Sequence, residues 1–314
     1  MSIIERVAEL LGPITQPNPK YPPLGGADPA SKLGLLERGA SDSNERSKLP
    51  EGKFARPART TARTLPVDLD RLRSLSILTP DTARTPIAEG FRRVKRRILA
   101  NVANPKAGAS TNLIMVTSAL PGEGKTFCAL NLAISIAMEM DRTVLLVDAD
   151  VARPSIPPAL GVEADRGLMD VLLDPRVDLA DVLCKTTIDK LMLLPAGKAH
   201  QHATELLASE AMGRLLRELA ARYQDRIIIF DSSPLLAASE ASALAHGMGQ
   251  IVMVVEAGRT TEQTLKDAMS RIDSSKVAGL VLNKGAVHGP GYYYGERYGY
   301  DAQDVESRVR PQAT

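Results

Sequence analysis

Residues 112–126 run NLIMVTSALPGEGKT, a short apolar segment that breaks into a Pro/Gly turn and closes on a lysine and a threonine. Residues 112–117 have the character of a strand buried on both faces, and FCALNLAISIAMEM from Phe127 has the composition of a buried helix. Strand, glycine turn and helix are the context of a phosphate-binding loop. Gly122 and Gly124 let the backbone turn tightly, so successive N–H groups and the helix N-terminus point at one anion. Lys125 then neutralises the β and γ phosphates of a nucleoside triphosphate, and the Thr126 hydroxyl ligates Mg²⁺. Ala119 holds the place of the motif's usual first glycine. The candidate nucleotide contacts are Gly122, Glu123, Gly124, Lys125, Thr126 and Phe127.

Beyond the loop, strand-like runs recur at TVLLVD, LMLLPAG, RIIIFD, IVMVVE and VAGLVLNK, with helical segments such as ATELLASEAMGRLLRELAARY between them. This alternation predicts an α/β fold, a doubly wound, mostly parallel sheet whose strand carboxyl ends gather at one ligand-binding edge. Two strand ends carry acids: VLLVDADVARP presents Asp148 and Asp150, and RIIIFDSSP presents Asp231. Such acids beside a phosphate loop hold Mg²⁺ or deprotonate the attacking group, the alternative being simple helix capping. Thr126, Asp148, Asp150 and Asp231 are thus the candidate metal residues, and Lys125, Asp148 and Asp150 the catalytic ones. Asn283, ending the last strand, is a candidate adenine contact by analogy with related folds.

The 314 residues hold 44% hydrophobics, enough for a proper core, and a net charge of +2 gives no argument for nucleic acid. Cys128 and Cys184 lie in apolar stretches without metal or redox spacing and read as reduced core residues in a cytoplasmic setting. The longest apolar stretch is too short to span a bilayer.

Residues 1–11, MSIIERVAELL, read as an amphipathic helix that docks on a partner or packs on its own domain, and 12–84, rich in Pro, Gly, Ser, Thr and Arg, read as a disordered linker spanning roughly 50 Å. Order is expected from 85 to 288. It begins with IAEGFRRVKRRILANVAN, which sets Ile87, Phe91, Val94, Ile98 and Val102 on one face of a basic amphipathic helix. Residues 289–314 form a flexible tail holding Tyr292, Tyr293, Tyr294, Tyr298 and Tyr300 among glycines. Leaving the ligand edge of the sheet, these phenols can reach up to roughly 30 Å from Asn283 and are candidate phosphoacceptors.

Taken together, the SALPGEGKT loop, DADVARP, RIIIFDSSPLL, GLMDVLL, LPAGKAHQHATELLAS and the tyrosine cluster resemble the bacterial tyrosine kinases, in particular the cytoplasmic autokinases of exosortase-associated exopolysaccharide systems. The resemblance implies ATP-dependent autophosphorylation of the tail. Lys125 and Thr126 match the family's phosphate and Mg²⁺ residues, Asp148 and Asp150 its second acidic motif, and Asp231 its Walker B acid. It also implies that Glu89, Arg92 and Lys95 stand at the E-x-x-R-x-x-R motif of ring contacts, with Lys95 in place of the last arginine. A homo-oligomer, a tyrosine phosphatase, and a membrane-bound polysaccharide co-polymerase whose cytoplasmic segment activates the kinase are implied partners, which place the chain at the inner face of the plasma membrane. Partition-type ATPases share the fold, but their loop carries an early lysine where Leu120 and Pro121 stand here. They, and a non-catalytic nucleotide-binding scaffold, are the alternatives.

Overall fold

The computed structural model describes residues 63–82, 85–104, 110–222 and 226–285. The expected N-terminal helix and the five tail tyrosines lie outside the described residues. In chain order the elements are β1 (Thr64–Leu65), α1 (Leu69–Ser74), α2 (Pro86–Val102), β2 (Leu113–Ser118), α3 (Lys125–Ala137), β3 (Thr143–Asp148), α4 (Ile156–Leu160), α5 (Leu168–Leu173), α6 (Leu179–Val182), β4 (Cys184–Thr186) and β5 (Leu191–Leu194). There follow α7 (Ala203–Leu207), α8 (Glu210–Arg222), β6 (Arg226–Asp231), α9 (Ser239–His246), β7 (Gln250–Glu256), α10 (Glu262–Met269) and β8 (Val277–Asn283).

The strands make one sheet in the order β1-β4-β5-β3-β6-β2-β7-β8, parallel except where β4 meets β5. Alternation along each strand splits the core in two. Leu113, Met115, Leu145, Val147, Ile228 and Phe230 pack under α5 to α10, while Ile114, Val116, Val144, Leu146, Ile227 and Ile229 pack under α2 and α3. Because both faces are covered, β2 is buried at every position, which is why the strands read as continuous apolar runs.

The described part of the segment expected to be a linker, 12–84, is folded. Residues 63–82 fold onto the domain: β1 pairs in parallel with β4, and Leu65, Leu72, Ile77 and Leu78 are buried in the α2–α3 layer. The Leu78 amide donates to Oδ1 of the buried Asn131 on α3 at 2.9 Å, so the strap is bolted to the helix behind the phosphate loop. With Val67, five apolar residues scattered among Pro, Arg and Thr suffice because each packs against the domain.

Helix α2 forms as expected, with Pro86 in its first turn and the Thr85 hydroxyl capping Ala88 N–H at 3.1 Å. Its buried stripe is Ala88, Phe91, Lys95 and Ile98, whereas Ile87 is exposed. Lys95 lays its stem along the core, and its ammonium donates to the Ser135 carbonyl at 2.8 Å and pairs with Glu139 at 2.6 Å, capping the C-terminal turn of α3. The cation expected at a subunit contact is therefore used inside the fold. Glu89 and Arg92 pair with each other along the helix at 2.6 Å. Both cysteines are free and buried, and burial pushes the Cys128 thiol up to about 12, as their apolar setting predicts. No described helix is long and apolar enough to cross a membrane.

Candidate active site

Sheet register assembles the site. β3, β6 and β2 are consecutive neighbours, with Asp148 registered on Asp231 and Asp231 on Val116, so two acids and the phosphate loop leave the sheet at one edge. The loop from Ala119 to Gly124 turns through positive φ at Gly122 (85°) and Gly124 (93°) and delivers Lys125 as the first residue of α3. A side chain at 124 would meet the Asn283 amide nitrogen at 2.1 Å, so glycine is required there for space as well as for φ.

Lys125 Nζ pairs with Asp150 Oδ2 at 2.7 Å, both side chains largely enclosed. The other Asp150 oxygen accepts from the Ser233 hydroxyl (3.1 Å) and the Arg153 amide (3.3 Å). Asp148 accepts the Ser155 and Ile156 amides at 3.1 Å on Oδ2, while its buried Oδ1 has no hydrogen-bond partner. Asp231 is fully buried with neither oxygen hydrogen-bonded. Burial pushes Asp148 up to about 7 against the pull of those amides, and pushes Asp231 up to about 7 against the Lys125 charge and the nearby Thr126 hydroxyl. Thr126 Oγ1 lies 2.9 Å from Ser155 Oγ.

Three buried carboxylate oxygens without donors, close to a threonine hydroxyl at a helix N-terminus, suit a hard cation. Among the described residues no three acidic, His or Cys side chains converge as a ready-made metal cage. That arrangement fits Mg²⁺, which keeps several waters and takes one or two carboxylates together with substrate phosphates.

Lys125, Thr126, Asp148, Asp150 and Asp231 are thus brought together as the sequence predicts. The Phe127 ring instead meets Phe91 of α2 edge-on at 6.3 Å, which makes it part of the layer behind the loop. Asn283, expected at adenine, donates to the Glu123 carbonyl at 2.8 Å and so braces the loop. Ser155, Ser233, Thr260 and Lys284 also reach the site, and no sequence signal singled them out, because each acts from a turn distant in sequence from its partner.

The AAA domain family matches residues 111–278. The chain is 32% identical over 206 residues to the tyrosine-protein kinase YwqD of Bacillus subtilis, covering 64% of this chain and 85% of that protein. It is 34% identical over 238 residues to the succinoglycan biosynthesis transport protein ExoP of Rhizobium meliloti, covering 72% of this chain but only 29% of that protein. Among solved structures, the kinase domain of Escherichia coli tyrosine kinase ETK superposes with a TM-score of 0.58 at 25% identity, covering 76% of this chain and 94% of that domain.

Proposed function

The chain belongs to the bacterial tyrosine-protein kinases, and on that premise we propose that it is an autokinase transferring the γ-phosphoryl group of ATP to the tyrosines of its own C-terminal segment. The observation that carries this reading is the Lys125–Asp150 pair set beside the donor-free oxygens of Asp148 and Asp231 at the mouth of the phosphate loop. In it, loop amides and Lys125 bind and orient the phosphates. Asp148 or Asp150 accepts the tyrosine proton as its oxygen attacks phosphorus and the bond to the β-phosphate oxygen breaks. Mg²⁺, when bound through Thr126 with Asp148, Asp150 or Asp231, neutralises charge on the β and γ oxygens.

Tyr292, Tyr293, Tyr294, Tyr298 and Tyr300 are the proposed acceptors. Each phosphate adds about −1.5 to −2 charge, so five shift the tail by roughly −8 to −10, enough to turn docking into repulsion between subunits. Control of exopolysaccharide synthesis or export is supported by the similarity to ExoP. A membrane-bound co-polymerase as activator, a tyrosine phosphatase, and peripheral placement at the inner membrane face belong to the same proposal. Assembly of copies through α2 draws on Glu89 and Arg92, Lys95 being used internally.

The test incubates the purified chain with Mg-ATP, alone and with a candidate activator segment, measuring phosphotyrosine and free phosphate with Lys125→Ala as control. Tail phosphotyrosine that requires Lys125 is expected. Free phosphate without phosphotyrosine in both conditions would make it an ATPase and overturn the kinase assignment.

A further inference from the structure

Glu123 lies inside the phosphate loop yet is fully buried. A carboxylate this close to a triphosphate works against anion affinity, so its contribution must come from what it holds. Oε2 accepts the Leu120 N–H at 2.7 Å, a chord across the loop, and Oε1 accepts the hydroxyl of buried Thr260. Thr260 is itself seated in the turn after β7, its amide donating to the Glu256 carbonyl at 3.1 Å and its oxygen accepting the Glu256 amide at 3.2 Å. The end of β8 completes the frame: Asn283 donates to the Glu123 carbonyl at 2.8 Å and Lys284 to the Gly122 carbonyl at 2.7 Å. These contacts use the loop's carbonyls, its Glu123 carboxylate and the amide of Leu120 at its start. The amides of Gly122, Glu123 and Gly124 take no part in them and remain available to an anion.

We propose that Glu123 is a positioning residue for nucleotide binding, holding the phosphate loop in its anion-binding shape through Thr260 and, from β8, Asn283. The inference rests on the nucleotide-binding reading of the loop. In a flexible loop the amides have to be ordered at the moment of binding, and the brace removes that cost from the nucleotide's affinity. The turn after β7 and the end of β8 thereby become part of the nucleotide site without touching the nucleotide.

The experiment measures Mg-ADP affinity of the full chain by displacement of a fluorescent ADP analogue, for wild type, Thr260→Val, Thr260→Ser, Glu123→Ala and the Glu123→Ala/Thr260→Val double variant, with denaturant unfolding run in parallel. Losing one hydrogen bond to a carboxylate, Thr260→Val is expected to weaken binding about tenfold. Thr260→Ser, which restores the hydroxyl, should lie within about twofold of wild type, and the double variant should bind no more weakly than Glu123→Ala, because both remove the same contact. Wild-type affinity in Thr260→Val, multiplying losses in the double variant, or a loss accounted for by unfolded protein alone would each overturn the proposal. The expected affinity pattern in a chain that makes no phosphotyrosine would sink the kinase reading and leave the brace standing. A wild-type chain that binds no nucleotide would sink both.

Discussion

Replacing Gly124 by alanine separates two constraints that meet at one atom. The backbone there has φ 93° and ψ 30°, a left-handed conformation that costs an L-residue about 1–2 kcal/mol. The added Cβ would stand 2.1 Å from Asn283 Nδ2, so the amide must swing away and give up its bond to the Glu123 carbonyl, worth about 1 kcal/mol. Gly124→Ala should therefore lose roughly 2–3 kcal/mol. In urea titrations followed by circular dichroism, Asn283→Ala alone should lose about 1 kcal/mol, and the double variant about as much as Gly124→Ala, because the hydrogen bond cannot be lost twice. Nucleotide affinity should collapse in Gly124→Ala, whose loop can no longer turn as the anion requires. Strict additivity, or a Gly124→Ala chain within about 0.5 kcal/mol of wild type, would refute the claim that Asn283 and the loop turn occupy the same space.

Burial raises Asp148 and Asp231 from the ordinary 3.8 to about 7, so the metal-free fold retains protons that the unfolded chain has released. The contribution of these acids to stability should therefore fall as pH rises through that window and level off above it. The advantage of Asp231→Asn over wild type in melting temperature should widen from pH 5 to pH 8; a gap that narrows instead contradicts the assignment. Lys95→Ala removes the enclosed ammonium and with it the Ser135 and Glu139 contacts and should cost about 1–3 kcal/mol while the mass by light scattering stays unchanged. A changed mass at unchanged stability would mean that Lys95 serves subunit contact after all. Asn131→Ala orphans the buried Leu78 amide and removes the second donor to the Phe127 carbonyl, a loss of about 2 kcal/mol, and limited proteolysis should then cut faster within residues 63–82.

What could be read from the sequence was what repeats or clusters locally. The loop and the acids at the ends of β3 and β6 are contiguous with the strands that place them, so period and motif located them together. The strap of residues 63–82 was hidden because its partners, Asn131, the Leu160 carbonyl and the Thr187 hydroxyl, lie far along the chain, while its own composition resembles a linker. The internal role of Lys95 was hidden for a different reason. Its spacing from Phe91 and Ile98 puts it on the apolar stripe, but a cation there looks exposed until an acceptor, here the end of α3, is known. The loop contact of Asn283 was hidden likewise: a strand-end amide signals a contact, and only the fold shows that the Glu123 carbonyl accepts from it.

The charges at the loop mouth do not balance in the free chain, and the imbalance links its parts. One ammonium, Lys125, faces Asp148, Asp150 and Asp231, and it pairs with only one of them. Full ionisation would leave Asp231 without a donor and Asp148 with only the two amides on one oxygen, and burial accordingly raises both acids to about 7. Under the proposed reaction, phosphate in the loop would draw Lys125 away from Asp150, and Asp148 and Asp231, if they held Mg²⁺ with Thr126, would do so in their ionised forms. Asp150 is then left with the Ser233 hydroxyl and the Arg153 amide, contacts that orient a carboxylate without neutralising it. Under that proposal the binding of the phosphate donor would itself free Asp150, one of the two candidate bases, for the tyrosine proton. On this proposal an empty loop keeps that candidate base paired with Lys125, and a filled one exposes it.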